Sequence, residues 1–416
     1  MKTLDNKSPL AETSPKSVLW IITELYYPEE TSTGYYLTRI AEGLINKFNV
    51  RVICGQPNYS ARGIRAPKHQ YHKSVEIFRS AGTGLNKNVI LFRLVNMATL
   101  SFGILFTSIL RFRNGDRVLV VTTPPSLPFV AAIATLFRGA GYTLLIHDNY
   151  PEMLVAVGKA RDGSFIVRVL NFFNRWLYKH AAKIVVVGRD MQLMIEEKTR
   201  GLDIPIEVIP NWAELETVHP TPKFENQLLQ EYGLLDKFIL LYAGNLGHPN
   251  DIETIISCAD RLRDHPTLHF ILLGTGAKET WLRRELARLN LTNVTLLGSK
   301  PRSEQIVFLN ACDVGLVSLV EKMRGVSMPS RTYNIMAAGK PILALTDENS
   351  ELAQVIDEER IGWHVPPGEP DQLLDAILNI YETRNSLAEM GERSRAAAVT
   401  KYSMEFAVAA YHEALE

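Results

Sequence analysis

Three places in this 416-residue chain bring together residue types that could do chemistry. The first is His147-Asp148-Asn149-Tyr150-Pro151-Glu152, directly after an apolar run that ends at Ile146. A buried acid or imidazole needs a partner, and the cleft beyond the carboxyl end of a strand supplies one. His147, Asp148 and Glu152 are therefore the candidate catalytic residues. The second place is 328–341, where Pro329 and Ser330 make a helix start and Gly339 with Pro341 make its stop. So short a helix aims its N-terminus and Arg331 outward, as a bound diphosphate would require. Close packing on a sheet would explain its Ala and Gly residues, but not its Pro-Ser-Arg start. The third place is a set of glycine turns: Gly34 after 27–33, Gly244-Asn245-Leu246-Gly247-His248, and Gly274-Thr275-Gly276. Gly34, with hydroxyls ahead of it at a helix start, can offer backbone N–H groups to a phosphate, although the same loop also serves as plain turn chemistry. None of these turns completes G-x-G-x-x-G with an acid about 20 residues on, which disfavours a nicotinamide dehydrogenase.

The elements that must position these groups are visible as short apolar runs at 18–23, 50–54, 117–122, 142–147 and 183–188, separated by helix-length amphipathic segments. That rhythm belongs to a parallel α/β sheet. It stops over 210–237, a polar stretch punctuated by prolines, and restarts at 238–243, 268–273, 293–297, 313–318 and 341–346. Two doubly wound, Rossmann-like domains in tandem are expected, with a cleft between them. The division is 1–16 as a disordered lead-in, 17–210 and 211–390 as the two domains, and 391–416 as C-terminal helices that return to the first. No repeat of 20–50 residues suggests a solenoid.

The formal net charge of zero argues against a nucleic-acid partner, but it conceals a split. Residues 1–209 hold 26 basic and 16 acidic side chains, whereas 210–416 hold 19 and 29. The basic half suits phosphates or an anionic membrane. Within it, 94–110 has no charge and is flanked by Lys87, Arg93, Arg111 and Arg113. This stretch reads as a buried core helix, as a helix lying in a membrane interface or, being slightly short, as a span. In 164–183, Arg168, Arg175 and Lys179 fall on one helical face near Phe165, Phe172, Phe173 and Trp176. Basic residues among aromatics suit the headgroup level of a bilayer, and equally a solvated face over a core stripe. Cys54, Cys258 and Cys312 lie far apart without metal-ligand spacing, which fits a reducing cytosol. The first sixteen residues lack the apolar run of a signal peptide.

Taken together, the residues resemble a family 4 glycosyltransferase with the two-Rossmann architecture called GT-B, and are similar to bacterial surface-polysaccharide transferases of the N-acetylfucosamine transferase type. The resemblance runs from about Val18 to near the end. It rests on Tyr26-Tyr27-Pro28 with Gly34, Pro57-Asn58-Tyr59 with Gly63, Pro124-Pro125, Asp148…Pro151-Glu152, Pro210-Asn211-Trp212, Gly244-Asn245-Leu246-Gly247, and Pro329-Ser330-Arg331…Ala337-Ala338-Gly339-Lys340-Pro341. It implies transfer of a hexosyl or N-acetylhexosaminyl group, with retention, from a nucleotide sugar in the second domain to a lipid-linked or oligosaccharide acceptor in the first. The enzyme would work without a cofactor or obligatory metal, in the cytoplasm, peripherally bound to the inner face of the plasma membrane. By position, Gly34 would approach the diphosphate, His147 the donor sugar, Ser299 and Lys300 the base, and Arg331 the diphosphate, with Gly244, Asn245, Gly247, His248, Gly274 and Ser330 around them. Relatives carry Arg and Lys where this chain has Asn245 and Asn250, and two glutamates where it has Val326 and Asn334; Asn334 could still bond a ribose hydroxyl. A UDP-N-acetylglucosamine 2-epimerase-like enzyme or a non-catalytic relative would share the architecture. Oligomeric state is not legible.

Overall fold

The computed structural model describes residues 16–58, 65–85 and 90–416. Residues 1–15 of the lead-in, Tyr59, Gly63 and Lys87 lie outside the described residues. The first sheet contains β1 (Val18–Ile22), β2 (Asn49–Cys54), β3 (His69–His72), β4 (Val75–Arg79), β5 (Arg117–Val121), β6 (Gly141–Ile146), β7 (Lys183–Val186) and β8 (Ile206–Val208). Their order is β3-β4-β2-β1-β5-β6-β7-β8, parallel except for the β3–β4 hairpin. The second contains β9 (Phe238–Ala243), β10 (Leu268–Leu273), β11 (Val294–Leu297), β12 (Val314–Ser318), β13 (Ile342–Leu345) and β14 (Gly362–Val365), in the all-parallel order β11-β10-β9-β12-β13-β14. All ten apolar runs read from the sequence lie on strands. The order reverses beside β1 and beside β9, and a doubly wound sheet binds ligands at such switch points, beyond its carboxyl edge.

Handed crossovers decide which face each helix covers. The step from β1 to β2 runs opposite to the steps β4 to β5, β5 to β6 and β6 to β7, so right-handed connections put the helix Ser32–Leu44 on one face and the helices Ile90–Arg111, Leu127–Arg138 and Phe165–His180 on the other. The last three pack side by side. Ile90–Arg111 is long and apolar enough to cross a membrane. It is also built into the domain: Leu100 and Ile104 are buried, Ser101 Oγ donates to Ser126 Oγ at 2.9 Å, and a Cβ on Gly103 would lie 2.6 Å from the Ala81 carbonyl. Its outer stripe of Leu91, Val95, Phe102, Phe106 and Leu110 stays exposed, as do Ile133, Leu136 and Phe137 of the second helix and Phe165, Ile166, Phe172 and Phe173 of the third.

The cations expected to face a membrane divide. Arg93 and Lys179 are exposed. The Arg111 guanidinium instead stacks 3.6 Å over the Phe78 ring. Arg175 donates to the Lys198 and Arg200 carbonyls at 3.2 and 3.1 Å, closing the C-terminal end of the neighbouring helix, and Arg168 donates to the Gly163 carbonyl at 3.1 Å. Trp176 leans inward against the core.

The segment 391–416 also divides. The helix Leu387–Lys401 belongs with the second domain: Ser394 Oγ donates to the Lys340 carbonyl at 2.9 Å, and Arg395 to the Val218 and Ala337 carbonyls at 2.8 and 2.7 Å. Only Met404–Leu415 crosses back, laying Val408 against Gly43, where a Cβ would sit 2.7 Å from its methyl groups. The linker is fixed beside this crossing. Tyr36 meets Trp212 edge-on at 4.6 Å and donates to its carbonyl at 3.0 Å, and the Ala213 N–H donates to the Tyr402 carbonyl at 2.8 Å.

Candidate active site

The second-domain wall is built around Arg331, the first residue of the helix Arg331–Ala337. Its guanidinium lies 4.7 Å from the centroid of Tyr242 on β9, and its Nη2 donates to Asn250 Oδ1 at 3.2 Å. It crosses directly over Gly244, where a Cβ would lie 2.5 Å from Cζ. The absence of a side chain at Gly244 leaves room for the cation above it. Nη1 is shut off from solvent and bonds to nothing. A buried guanidinium N–H without an acceptor is costly, and an anion in front of it would remove that cost.

The supporting loop is tightly made. Asn245 and His248 are exposed at its tip, and the Asn245 carbonyl accepts from Tyr242 Oη at 2.7 Å and Asn250 Nδ2 at 2.9 Å. At Gly274, φ is +148° and a Cβ would lie 1.9 Å from the Gly244 carbonyl, so only glycine lets β10 end so close to β9. Gly247 is buried in the same turn. The segment after β11 lies at the rim: Ser299 and Lys300 are exposed, with Lys300 paired to Glu304 at 3.0 Å. Arg302 stacks 3.8 Å over Tyr35 of the first domain and pairs with Glu214 at 2.6 Å. Asn334 is engaged at the linker through its amide oxygen. Its Oδ1 accepts the Glu214 N–H at 3.0 Å, holding the linker.

On the first-domain wall, Thr122 Oγ1 accepts the His147 and Asp148 N–H groups at 3.2 and 3.4 Å, which fixes the turn after β6. His147 Nε2 is sealed from solvent with no partner. Burial pushes this imidazole down to about 4, so the ring is neutral near pH 7. Burial also raises the Asp148 carboxyl, against the opposing effect of a hydrogen bond with Ser327. Asp148 and Ser327 form an antiparallel bridge between the domains. Asn149 completes this clamp, its N–H donating to the Val326 carbonyl at 2.8 Å and its Nδ2 to the Gly325 carbonyl at 2.6 Å. The bridge lies three residues before Ser330, whose Oγ is 2.7 Å from Ser32 Oγ. Gly34, two residues on, gives its N–H to Thr31 Oγ1 at 3.4 Å. A Cβ on Gly34 would press on the Glu29 carbonyl at 3.0 Å, so this glycine permits a tight first turn.

Glu152 leaves the catalytic group. Its carboxylate is taken by Lys198, whose ammonium burial drives below the usual lysine range. Nothing in the spacing signals that pairing. The sequence likewise gives no sign of Thr122, of the clamp that Asn149 makes, or of a reciprocal cap between the domains. Asp190 Oδ2, in the first turn of the helix Arg189–Lys198, accepts the Glu351 N–H at 3.0 Å and the Gly325 N–H at 2.8 Å. Glu351 Oε2, in the first turn of Glu351–Glu359, accepts the Arg189 N–H at 2.7 Å. Each carboxylate neutralises orphan donors and the positive pole of the opposite helix. Beside them Met153, Leu319, Met323 and Val326 form a small apolar cluster across the boundary. Among the described residues no three His, Cys, Asp or Glu side chains group as metal ligands.

The comparisons with known proteins agree with this layout. Residues 32–212 match the glycosyl transferase 4-like domain, and residues 225–397 match glycosyl transferases group 1. The chain is 30% identical over 387 residues to the probable glycosyltransferase WbjE of Pseudomonas aeruginosa, covering 92% of this chain and 94% of that protein. It is 26% identical over 348 residues to the putative colanic acid biosynthesis glycosyl transferase WcaI of Escherichia coli K12, covering 80% and 84%. Among solved structures, sucrose-phosphate synthase from Thermosynechococcus elongatus superposes with a TM-score of 0.77 at 15% identity over 96% of this chain and 98% of that one. Anabaena HepE in complex with UDP-glucose superposes with a TM-score of 0.71 at 16% identity, over 95% and 98%. With two facing Rossmann-like domains, an arginine lying over a glycine turn on one wall and a strand-end imidazole on the other, the chain belongs to the family 4 glycosyltransferases of GT-B architecture and is a glycosyltransferase enzyme.

Proposed function

We propose that the protein transfers a sugar, with retention, from a UDP-linked donor to a lipid-linked saccharide during surface-polysaccharide synthesis, at the cytoplasmic face of the membrane. The observation that carries this reading is the pair of sealed, unpartnered nitrogens, Arg331 Nη1 in the second domain and His147 Nε2 in the first, on segments that meet at the Asp148–Ser327 bridge. The first suits the leaving diphosphate. The second, neutral, suits a sugar hydroxyl near the reacting carbon. The solved complex of HepE with UDP-glucose supports the donor class, and the name of WcaI supports the polysaccharide setting.

In the step we propose, the acceptor hydroxyl oxygen bonds to the anomeric carbon as that carbon's bond to the β-phosphate oxygen breaks. The departing oxygen keeps the electron pair and takes the acceptor's proton on the same face. The protein positions both substrates and stabilises the negative charge that develops on the diphosphate. The test is turnover across a panel of UDP-sugars, with membrane lipids as acceptor and with none. Transfer of labelled sugar into the lipid fraction is the expected result. Isomerisation of UDP-N-acetylglucosamine without acceptor would make the protein an epimerase, and folded protein with no turnover would overturn the reading.

A further inference from the structure

We infer that the three helices Ile90–Arg111, Leu127–Arg138 and Phe165–His180 form a single docking surface for an anionic bilayer, in which they lie without crossing. This rests on the lipid-linked acceptor proposed above and assigns the surface that brings the cleft to it. The middle helix makes the surface continuous. Exposed Phe137 lies between the exposed stripes carrying Phe102 and Phe172, at 76%, 70% and 72% exposure. Contiguous apolar surface of this kind on a water-soluble domain marks a contact site.

Charge selects the occupant. The three helices carry no Asp or Glu and six cations: Arg93 and Lys179, which are exposed, and Arg111, Arg138, Arg168 and Arg175, which keep their charge at the surface while held by the Phe78 ring or by backbone carbonyls. A second copy of the same face would oppose like charges, whereas anionic headgroups around inserted aromatics complement both features. Spanning is excluded by packing, because the inner side of Ile90–Arg111 is fastened to Ala81 and Ser126. Topology then orients the enzyme. Each of these helices starts from the carboxyl edge of the sheet, which is the cleft edge, so a bilayer lying along them reaches the cleft mouth near Leu91 and Phe165.

The experiment is flotation of the full chain with vesicles of phosphatidylcholine alone or mixed with phosphatidylglycerol. Wild type should float with the mixed vesicles and release at high salt. The triple variant Phe102→Ser, Phe106→Ser, Phe137→Ser, all exposed positions, should lose flotation while keeping its far-UV spectrum and UDP affinity. Neutralising Arg93 and Lys179 with Gln should weaken vesicle affinity about fivefold per residue. Wild type that stays unbound, self-associates through this face, or floats equally well as the triple variant would overturn the inference. Flotation that needs the three Phe, with no transfer to any lipid acceptor, would support the surface and count against the proposed acceptor instead.

Discussion

Replacing Gly244 by Ala isolates the cation of the donor wall. The Gly244 backbone is not in the left-handed region, so an alanine fits the chain. Its Cβ would lie 2.5 Å from Arg331 Cζ and Nη1, whereas ordinary carbon contacts start near 3.5 Å, so the guanidinium must retreat by about 1 Å. That movement breaks the 3.2 Å bond to Asn250 and lifts the cation from the Tyr242 ring. The colliding atoms are the far end of a flexible side chain, so the fold should tolerate the change, with Tm within about 2 °C of wild type. Binding should not tolerate it. A charge-assisted hydrogen bond contributes about 1.5–3 kcal/mol, so UDP affinity should fall roughly tenfold to a hundredfold by titration calorimetry. Uridine, lacking the diphosphate, should bind the two proteins alike. Arg331→Ala should match the loss, and the double variant should add little, since both act through one group. UDP bound with wild-type affinity, or uridine weakened in parallel, would refute the placement of the diphosphate against Arg331.

Three further outcomes follow from the geometry. His147 has a folded-state pKa of about 4, below its ordinary 6.5, so its protonation favours the unfolded chain; it should destabilise the protein progressively as pH falls from 6.5 to about 4, by up to roughly 3 kcal/mol. Unfolding of wild type and His147→Gln at several pH values isolates this difference, and parallel pH curves would contradict it. Glu152→Gln should leave turnover within about twofold of wild type yet lower Tm by about 5 °C, because Lys198 loses its counter-charge; a large loss of kcat at unchanged Tm would return Glu152 to the catalytic group. Asp190→Ala leaves the Gly325 and Glu351 N–H groups without their acceptor, at about 2–4 kcal/mol, and should open the domains. A radius of gyration unchanged by small-angle scattering, together with an unchanged Tm, would show that the reciprocal cap does not hold them.

What the sequence discloses follows the range of the interactions involved. The ten strands read from the sequence carry β-branched residues and leucine in short apolar runs, whereas β3, β8 and β14 are edge strands of only three or four residues and β4 is interrupted by Glu76. His147, Asp148, Gly244 and Arg331 are legible because a strand end, a glycine turn or a Pro-Ser helix start marks them locally. The Glu152–Lys198 pair spans 46 residues and leaves no local trace. Arg175 shows the converse, since its position on an amphipathic helix suggests a headgroup contact while its N–H groups close a neighbouring helix. Helix Leu127–Arg138 offers no local cue to an exposed role, because it is apolar nearly throughout. Only the tertiary packing reveals that it carries one stripe inward and a second, with Leu136 and Phe137, to the surface.

The charge split acquires its meaning from pairing. The acidic second domain can hold an anionic diphosphate because several of its carboxylates are engaged by cations, Glu351 and Glu358 by Arg189, Glu253 by Lys278, Glu304 by Lys300 and Asp371 by Arg261. The turn 244–250 contains no acid at all. A domain total is felt through water and salt over a Debye length of roughly 8–10 Å, whereas the sealed Nη1 of Arg331 acts at contact distance in a poorly screened site. On the first domain the converse holds. The three helices themselves carry six Lys and Arg and no acid, while Glu42 is engaged elsewhere with Arg39, His72 and Lys73, so a positive excess stands on their exposed face. Salt therefore reaches the bilayer contact far more than the diphosphate contact, and ionic strength separates the two halves of a net charge of zero.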